Sequence, residues 1–206
     1  MIEDLLSKIV WLGHDGFRID ASKTVYIDPY QIPDGPAADL ILITHEHFDH
    51  CSPEDVAKIQ QSGSVIVTEK DSAANLSGDV RVVTVGETIT IDDVSIEAVP
   101  AYNTNKDFHP KSKGWLGFIV DIDGVRVYHA GDTDFIPEMK DFSTDIALLP
   151  VCGTYVMTAD EAVDAALAID PKIAIPMHYG AIVGAGQDAE NFKKALEGKV
   201  EVRVLG

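Results

Sequence analysis

Along much of this chain, apolar and polar positions alternate in short runs, with Gly, Pro, Asp or Asn between them. A period of two, broken every few residues by turn formers, predicts a protein built mostly of short strands. The runs fall at residues 8–12, 17–19, 24–27, 40–43, 64–67, 80–83, 88–91 and 94–99. A loop without clear periodicity follows from Ala101 to Trp115, and loops of that length in compact domains are usually functional or disordered. Further runs occupy 116–122, 125–129, 145–150, 172–176 and 200–205. Asp123-Gly124 reads as a two-residue hairpin turn, and Asp92-Asp93 plays the same part less strongly.

Helices are fewer. Ser52 as N-cap, Pro53 at the first helical position and the acids Glu54 and Asp55 predict a helix over 53–61. Thr158-Ala159-Asp160-Glu161 is a capping box opening an alanine-rich helix to 169, stopped before Pro171. Asp188 reads as the cap of a last helix to 197, with Gly198 just past its end. A short helix is expected near 69–76. So many strands cannot share one layer. The pattern therefore predicts an α/β protein with two packed sheets and helices outside them. No repeat or linker interrupts it, so residues 1–206 read as a single domain.

Composition narrows the function classes. Hydrophobic residues make up 46% of the chain, which excludes a disordered segment. The net charge of -18 leaves no basic footprint for nucleic acid and would be repelled by an acidic membrane surface. Met1-Ile2-Glu3-Asp4-Leu5 has acids where a signal peptide carries positive charge, and no apolar run approaches the roughly 20 residues of a membrane span. A cytoplasmic location is the expectation. Two cysteines, Cys51 and Cys152, give no disulfide framework. Cys51 adjoins His50; it reads either as a thiolate ligand or, by burial habit, as a small residue packing a loop.

Seven histidines occur, and His45, His47 and His50 fall within one short run, His45-Glu46-His47-Phe48-Asp49-His50. Such a density of imidazole and carboxylate points to a divalent cation. The run sits between a buried strand and a capped helix, a usual place for a site in layered α/β folds. Glu46 and Phe48 point away from the alternating ligands if the loop is extended. Metal sites take three or four protein ligands per ion. The remaining histidines, His14, His109, His129 and His178, each lie at a predicted strand end or in a loop. In 125–129 the odd positions share a face, so His129 points inward toward Asp132. It reads as a proton donor, a partner or substitute for a ligand, or a satisfied core histidine. Asp28, ending a strand before Pro29, is a candidate to orient a ligand imidazole.

Thr44-His45-Glu46-His47-Phe48-Asp49-His50 resembles the signature of the metallo-β-lactamase superfamily. Ala130-Gly131-Asp132-Thr133 resembles its later G-D motif, and Ile175-Pro176-Met177-His178-Tyr179 its last histidine motif. Trp11-Leu12-Gly13-His14 and Ile27-Asp28-Pro29 are similar to the branch with the ascorbate-6-phosphate lactonases and the N-acyl phosphatidylethanolamine phospholipases D. The resemblance implies a four-layer αββα sandwich of two mixed β-sheets, with metals at the edge between them. It implies that His45, His47 and a third histidine hold one ion, that Asp49, His50 and His178 hold a second, and that Asp132 bridges them. The family commonly places its third histidine near residue 100, where this chain has Pro100-Ala101-Tyr102-Asn103; His109 is assigned in its stead, against the reading of an exposed loop histidine.

The expected activity is that of a metal-dependent hydrolase using a metal-bridging hydroxide on a small ester, lactone or phosphodiester. The expected ions are two, Zn2+ by donor type, with Mn2+ or Fe also compatible. Asp49 would orient the nucleophile, and His14 or His129 would protonate the leaving group. Two divalent ions, less two carboxylates and a hydroxide, leave the centre at about +1, which suits a small anionic substrate. Lys106, Lys111 and Lys113 could recognise a phosphate or carboxylate, or form a solvated charge run. Three alternatives stand beside this reading. A nuclease of the same fold would need a basic exosite. A di-iron oxidoreductase would have glutamate where His47 stands. A non-catalytic metal-binding module would close its coordination sphere.

Overall fold

A computed structural model describes residues 1–206. The first sheet has six strands in sequential order: β1 (Ile9–Gly13), β2 (Gly16–Asp20), β3 (Thr24–Ile27), β4 (Leu40–Ile43), β5 (Val65–Thr68) and β6 (Asp79–Val82). The second contains β7 (Thr88–Ile91), β8 (Val94–Pro100), β9 (Leu116–Ile122), β10 (Val125–His129), β11 (Ile146–Pro150), β12 (Ile173–Met177) and β13 (Glu201–Val202), in the order β13-β12-β11-β10-β9-β8-β7. Both sheets are mixed. The runs β3-β4-β5-β6 and β10-β11-β12-β13 are parallel, and the remaining pairs are antiparallel. Two mixed sheets with helices outside them are what the strand pattern predicts, and the four-layer αββα sandwich is the arrangement that the resemblance implies.

Alternation explains the layers. Along β4, Leu40 and Leu42 join the main core between the sheets, while Ile41 and Ile43 belong to a smaller cluster with Val56 and Ile59 of helix α2 (Pro53–Ile59). A parallel strand covered on both faces must be apolar throughout, and Leu-Ile-Leu-Ile is. On the other side, helix α4 (Ala159–Ile169) buries Ala162, Val163, Ala165, Ala166 and Ile169. Helix α5 (Gly186–Ala195) buries Ala189 and Phe192. Truncating a fully buried core aromatic such as Phe118 to alanine should cost about 3–5 kcal/mol.

The local signals mostly hold. Ser52 accepts from the Asp55 N–H to cap α2, and Thr158 with Glu161 forms the capping box of α4. Asp123 and Gly124 adopt φ of 52° and 72°, the double positive φ of a type I′ hairpin turn. Other details differ. α5 begins before Asp188, whose carboxylate reaches back to accept from the Ala185 N–H at 2.8 Å instead of occupying the cap position itself. The last strand pairs over only Glu201 and Val202 at the sheet edge. Helix α1 (Ile2–Leu6) and the 3-10 turns at Lys111–Lys113 and Pro137–Asp141 have periods too short to show in the sequence.

This topology positions the site. Thr44 follows β4, Ala130 follows β10, Val151 follows β11 and His178 follows β12, so four parallel strand ends deliver their loops to one rim. The Leu116 N–H donates to the Thr44 carbonyl at 3.1 Å and stitches the two sheets together there.

Candidate metal centre

The first motif is anchored by one buried carboxylate. Asp28 ends β3 with a φ of 45°, a left-handed conformation that aspartate tolerates better than most residues. Its Oδ1 accepts from the Thr44 N–H at 2.8 Å, and its Oδ2 accepts from the Thr44 hydroxyl at 2.6 Å and from His50 Nδ1 at 2.8 Å. The Thr44 hydroxyl, while donating to Asp28, lies 3.0 Å from His45 Nδ1 and can accept its proton. These bonds favour a proton on Nδ1 of both imidazoles and aim Nε2 inward. Hydrogen bonds of this kind orient metal-ligating histidines.

Beyond these anchors the ligand-type atoms fall into three overlapping groups, each spanning no more than 4.8 Å: His45, His47, His109 and Asp132; His14, Asp49, His50 and His178; and Asp15, His50, Asp132 and His178. In the first, His45 Nε2 lies 3.0 Å from His47 Nδ1, and His109 Nε2 lies 3.0 Å from Asp132 Oδ2. In the other two, which share His50 and His178, His14 Nε2 lies 3.0 Å from Asp49 Oδ2, and His50 Nε2 and His178 Nε2 approach Asp132 Oδ1 to 3.4 and 3.3 Å. Asp132 thus turns Oδ2 toward His109 and Oδ1 toward His50 and His178. His50 Nε2, His109 Nε2, His178 Nε2 and Asp132 Oδ1 are all buried without a hydrogen-bond partner. Leaving such atoms unsatisfied costs about 1–3 kcal/mol each. Ligand atoms about 2.0–2.1 Å from a tetrahedral ion lie about 3.3 Å from one another. The observed separations, 3.0–3.9 Å, leave room for a divalent cation on each side of Asp132.

Electrostatics agree with this. Burial pushes the His45 imidazole well below the usual histidine range, and it lowers His14 and His47 as well. Burial also opposes charge on His50 and His178, yet the Asp132 carboxylate lifts both well above that range. Asp132 itself is held well below the usual carboxylate range: burial works against its charge, but the imidazoles of His178 and His50 outweigh it. A cluster that calls for positive charge among neutral-prone imidazoles is one that a cation can satisfy.

His109 is not an exposed loop histidine; it is buried, and Asn103 holds it. The Asn103 Oδ1 accepts from the His109 backbone N–H at 2.8 Å and lies 3.2 Å from Nδ1. Asp134 in turn accepts from Asn103 Nδ2 and from the backbone N–H groups of Thr104 and Asn105. The lysines of this loop are engaged. Lys106 pairs with Asp134 at 2.7 Å, Lys111 with Glu138 at 2.8 Å and Lys113 with Glu46 at 2.7 Å. Gly131, with φ of 61°, precedes Asp132; a Cβ there would meet the Leu116 carbonyl oxygen at 2.6 Å, so the G-D step requires glycine.

His129 is the exception among the expected site residues. It is fully buried, its Nε2 donates to the Asp15 carbonyl at 2.8 Å and its Nδ1 accepts from the Gly131 N–H at 3.2 Å. With both ring nitrogens engaged by backbone, it has none left to donate a proton to a leaving group or to ligate. The catalytic expectation for His129 is therefore replaced by an anchoring one, tying the loop of His14 and Asp15 to β10. Cys51 is also no ligand: it packs in the outer cluster beside α2, and burial pushes its thiol up to about 11.

Four contributors went unnoticed in the sequence. Asp15 is fully buried with neither carboxylate oxygen hydrogen-bonded, grouped with His50, Asp132 and His178; burial raises its carboxyl well above the usual range. Its only sequence signal is adjacency to His14. Asn103 and Thr44 are ordinary polar residues whose roles emerge only from the hydrogen bonds they make. Trp115 packs tilted against His45 and edge-on against His47, with ring centroids 4.8 and 4.7 Å apart. A cavity of about 270 Å³ opens onto His47, Asp49, His109 and Asp132. A larger surface hollow of about 670 Å³ between α5 and β13 contains none of the ligand-type residues.

The family model of the beta-lactamase superfamily domain matches residues 8–178. The UPF0173 metal-dependent hydrolase of Thermococcus kodakarensis is 37% identical, covering 96% of both chains, and that of Pyrococcus furiosus is 35% identical with the same coverage. A crystal structure from Parabacteroides distasonis superposes with a TM-score of 0.84 at 37% identity, covering 96% of this chain and 91% of that one. The metallo hydrolase Igni18 of Ignicoccus hospitalis superposes with a TM-score of 0.78 at 27% identity, covering 96% and 94%. No helix is long and apolar enough to cross a membrane. With its fold, its rim of buried histidines and aspartates and these relatives in agreement, the chain belongs to the metallo-β-lactamase superfamily, within the UPF0173 metal-dependent hydrolase family.

Proposed function

We propose that this chain is a dinuclear hydrolase, most compatible with Zn2+, that cleaves a small ester, lactone or phosphodiester. One observation supports this above the others. Two groups of ligand-type atoms share Asp132, and four buried atoms among them lack any hydrogen-bond partner. In this reading His45, His47 and His109, with Asp132, would hold one ion. Asp49, His50 and His178, with Asp132, would hold the other. When bound, the ions supply a water deprotonated near neutral pH and a Lewis acid for the substrate oxygen.

The chain's own residues do the rest. Asp28 and Thr44 keep the Nε2 atoms of His45 and His50 aimed inward. Asn103 does the same for His109. His14 holds the Asp49 carboxylate at 3.0 Å; Asp49 would orient the attacking water, and His14, buried and neutral-prone, would relay a proton through it. The resemblance of Trp11–His14 and Ile27–Pro29 to the lactonase branch supports an acyl or phosphoryl substrate over a redox one. The free cysteines support a reducing, cytoplasmic setting for a single-domain protein.

The test is Asp132→Ala. Metal content measured by mass spectrometry on the purified protein should fall at both sites, and turnover of model esters and phosphodiesters should fall by at least a hundredfold. Full occupancy with unchanged activity would contradict the proposal.

A further inference from the structure

The cavity above Asp132 has a second character. Besides the metal-facing groups it is lined by Phe48, Phe108, Tyr155 and Ile182. Phe48 is 66% exposed, Phe108 51% and Ile182 41%. Elsewhere only Met1, Val82, Val85 and Leu167 expose a comparable apolar side chain, so three of the seven exposed large apolar side chains sit at this one mouth. The walls are built from opposite sheets. Phe48 follows β4 and meets Tyr30 edge-on at 5.8 Å; Phe108, in the β8–β9 loop, meets Tyr155 edge-on at 4.8 Å. Neighbouring hydrogen bonds hold both phenylalanines, from the His50 N–H to the His47 carbonyl and from the His109 N–H to Asn103.

The polar complement is equally one-sided. No lysine or arginine lines the cavity, and Lys106, Lys111 and Lys113 are each paired with a carboxylate. The only charged residues facing it are Asp49 and Asp132, which the ions would hold. No side-chain cation here would meet an anionic tail, so any pull on an anion would come from the ions alone. The volume of about 270 Å³ lies at the small end of ligand pockets.

We propose, resting on the hydrolase reading above, that the site takes a small neutral ester or lactone bearing an aryl or branched-alkyl group. Phe48, Phe108, Tyr155 and Ile182 hold that group while the scissile carbonyl sits at Asp132. The apolar rim sets specificity through binding, not through the chemical step.

Two esters with one leaving group test this on zinc-loaded protein: 4-nitrophenyl 3-phenylpropionate and mono-4-nitrophenyl glutarate. The phenyl ester should show a kcat/KM at least tenfold higher. The double variant Phe48→Ala, Phe108→Ala should abolish that preference, raising KM on the order of tenfold with kcat held, the mark of lost uniform binding. Both side chains are exposed, so the variant should melt like the parent. Saturation-transfer NMR with 3-phenylpropionamide reads the same contact without turnover. The amide should saturate in the parent and in Leu167→Ala, but not in the double variant. A glutarate ester cleaved as well or better, or amide saturation that survives in the double variant, overturns the proposal. If neither ester is cleaved while the amide behaves as stated, the apolar site stands and the ester-hydrolase reading alone fails.

Discussion

Asp28→Asn should weaken both halves of the metal centre through a residue that touches neither ion. The wild-type carboxylate accepts three hydrogen bonds, from the Thr44 N–H at 2.8 Å, the Thr44 hydroxyl at 2.6 Å and His50 Nδ1 at 2.8 Å. An amide keeps the shape but exchanges one acceptor oxygen for a donor NH2, so at least one of these donors then faces another donor. Asparagine also accepts the left-handed backbone at φ 45°, so no new strain enters. One buried donor left unsatisfied costs about 1–3 kcal/mol of folding stability. Loss of a carboxylate behind a ligand imidazole costs about 10–100-fold in metal affinity. Competition with a fluorescent chelator at fixed pH measures that affinity for each ion. His50 is bonded directly and His45 only through Thr44, so the ion at His50 should be weakened more. Thr44→Val breaks the hydroxyl link and should reverse the order. Unchanged affinity for both ions in Asp28→Asn would refute the orienting role.

Other consequences are direct. His129→Leu should lower stability by about 2–3 kcal/mol in chemical denaturation, since the Asp15 carbonyl and Gly131 N–H lose their partner, while metal stoichiometry stays at the parent value. Asp55 ties α2 to residues 31 and 32. Burial raises its carboxyl, but bonds from Lys58, Ser52 and the Gln31 N–H outweigh this and hold it below the usual range. Its stabilisation is therefore present above the unfolded carboxylate pKa of about 3.9 and is lost as pH falls through the lower folded value. Denaturation curves should show Asp55→Asn about 1–3 kcal/mol less stable than the parent at pH 7, and the gap should close in strong acid. With native protein at pH 8, a thiol reagent should modify half-buried Cys152 well before Cys51, whose thiol is buried with its pKa pushed up to about 11; equal rates would contradict that placement.

The architecture was legible because strand alternation is local. Leu40 to Ile43 declare a doubly covered strand by composition alone, and Ser52-Pro53 and Thr158–Glu161 announce their helices by caps. The dense first motif was legible for the same reason: its ligand-type side chains share one loop. His109 could be reached only through resemblance and elimination, because its orientation depends on Asn103 and, through it, on Asp134 across the fold. The inward face of His129 was inferred correctly, but its neighbours were not. Alternation shows which way a side chain points; it does not show that a carbonyl from Asp15 and an amide from Gly131 await it there. The lysines of the 101–115 loop suggested anion binding for a similar reason, since their carboxylate partners at positions 46, 134 and 138 lie far away in sequence. Buried hydrogen bonds between distant segments are invisible to a linear pattern.

The central claim is that two cations sit on either side of Asp132. Crystals grown with zinc, with data collected at the zinc absorption edge, test it directly. The account predicts two anomalous peaks about 3.5–4 Å apart, one contacted by His45, His47 and His109 and the other by Asp49, His50 and His178, with an oxygen of Asp132 on each. A map with no peak at these residues, or with a single peak that Asp132 does not touch, would contradict it.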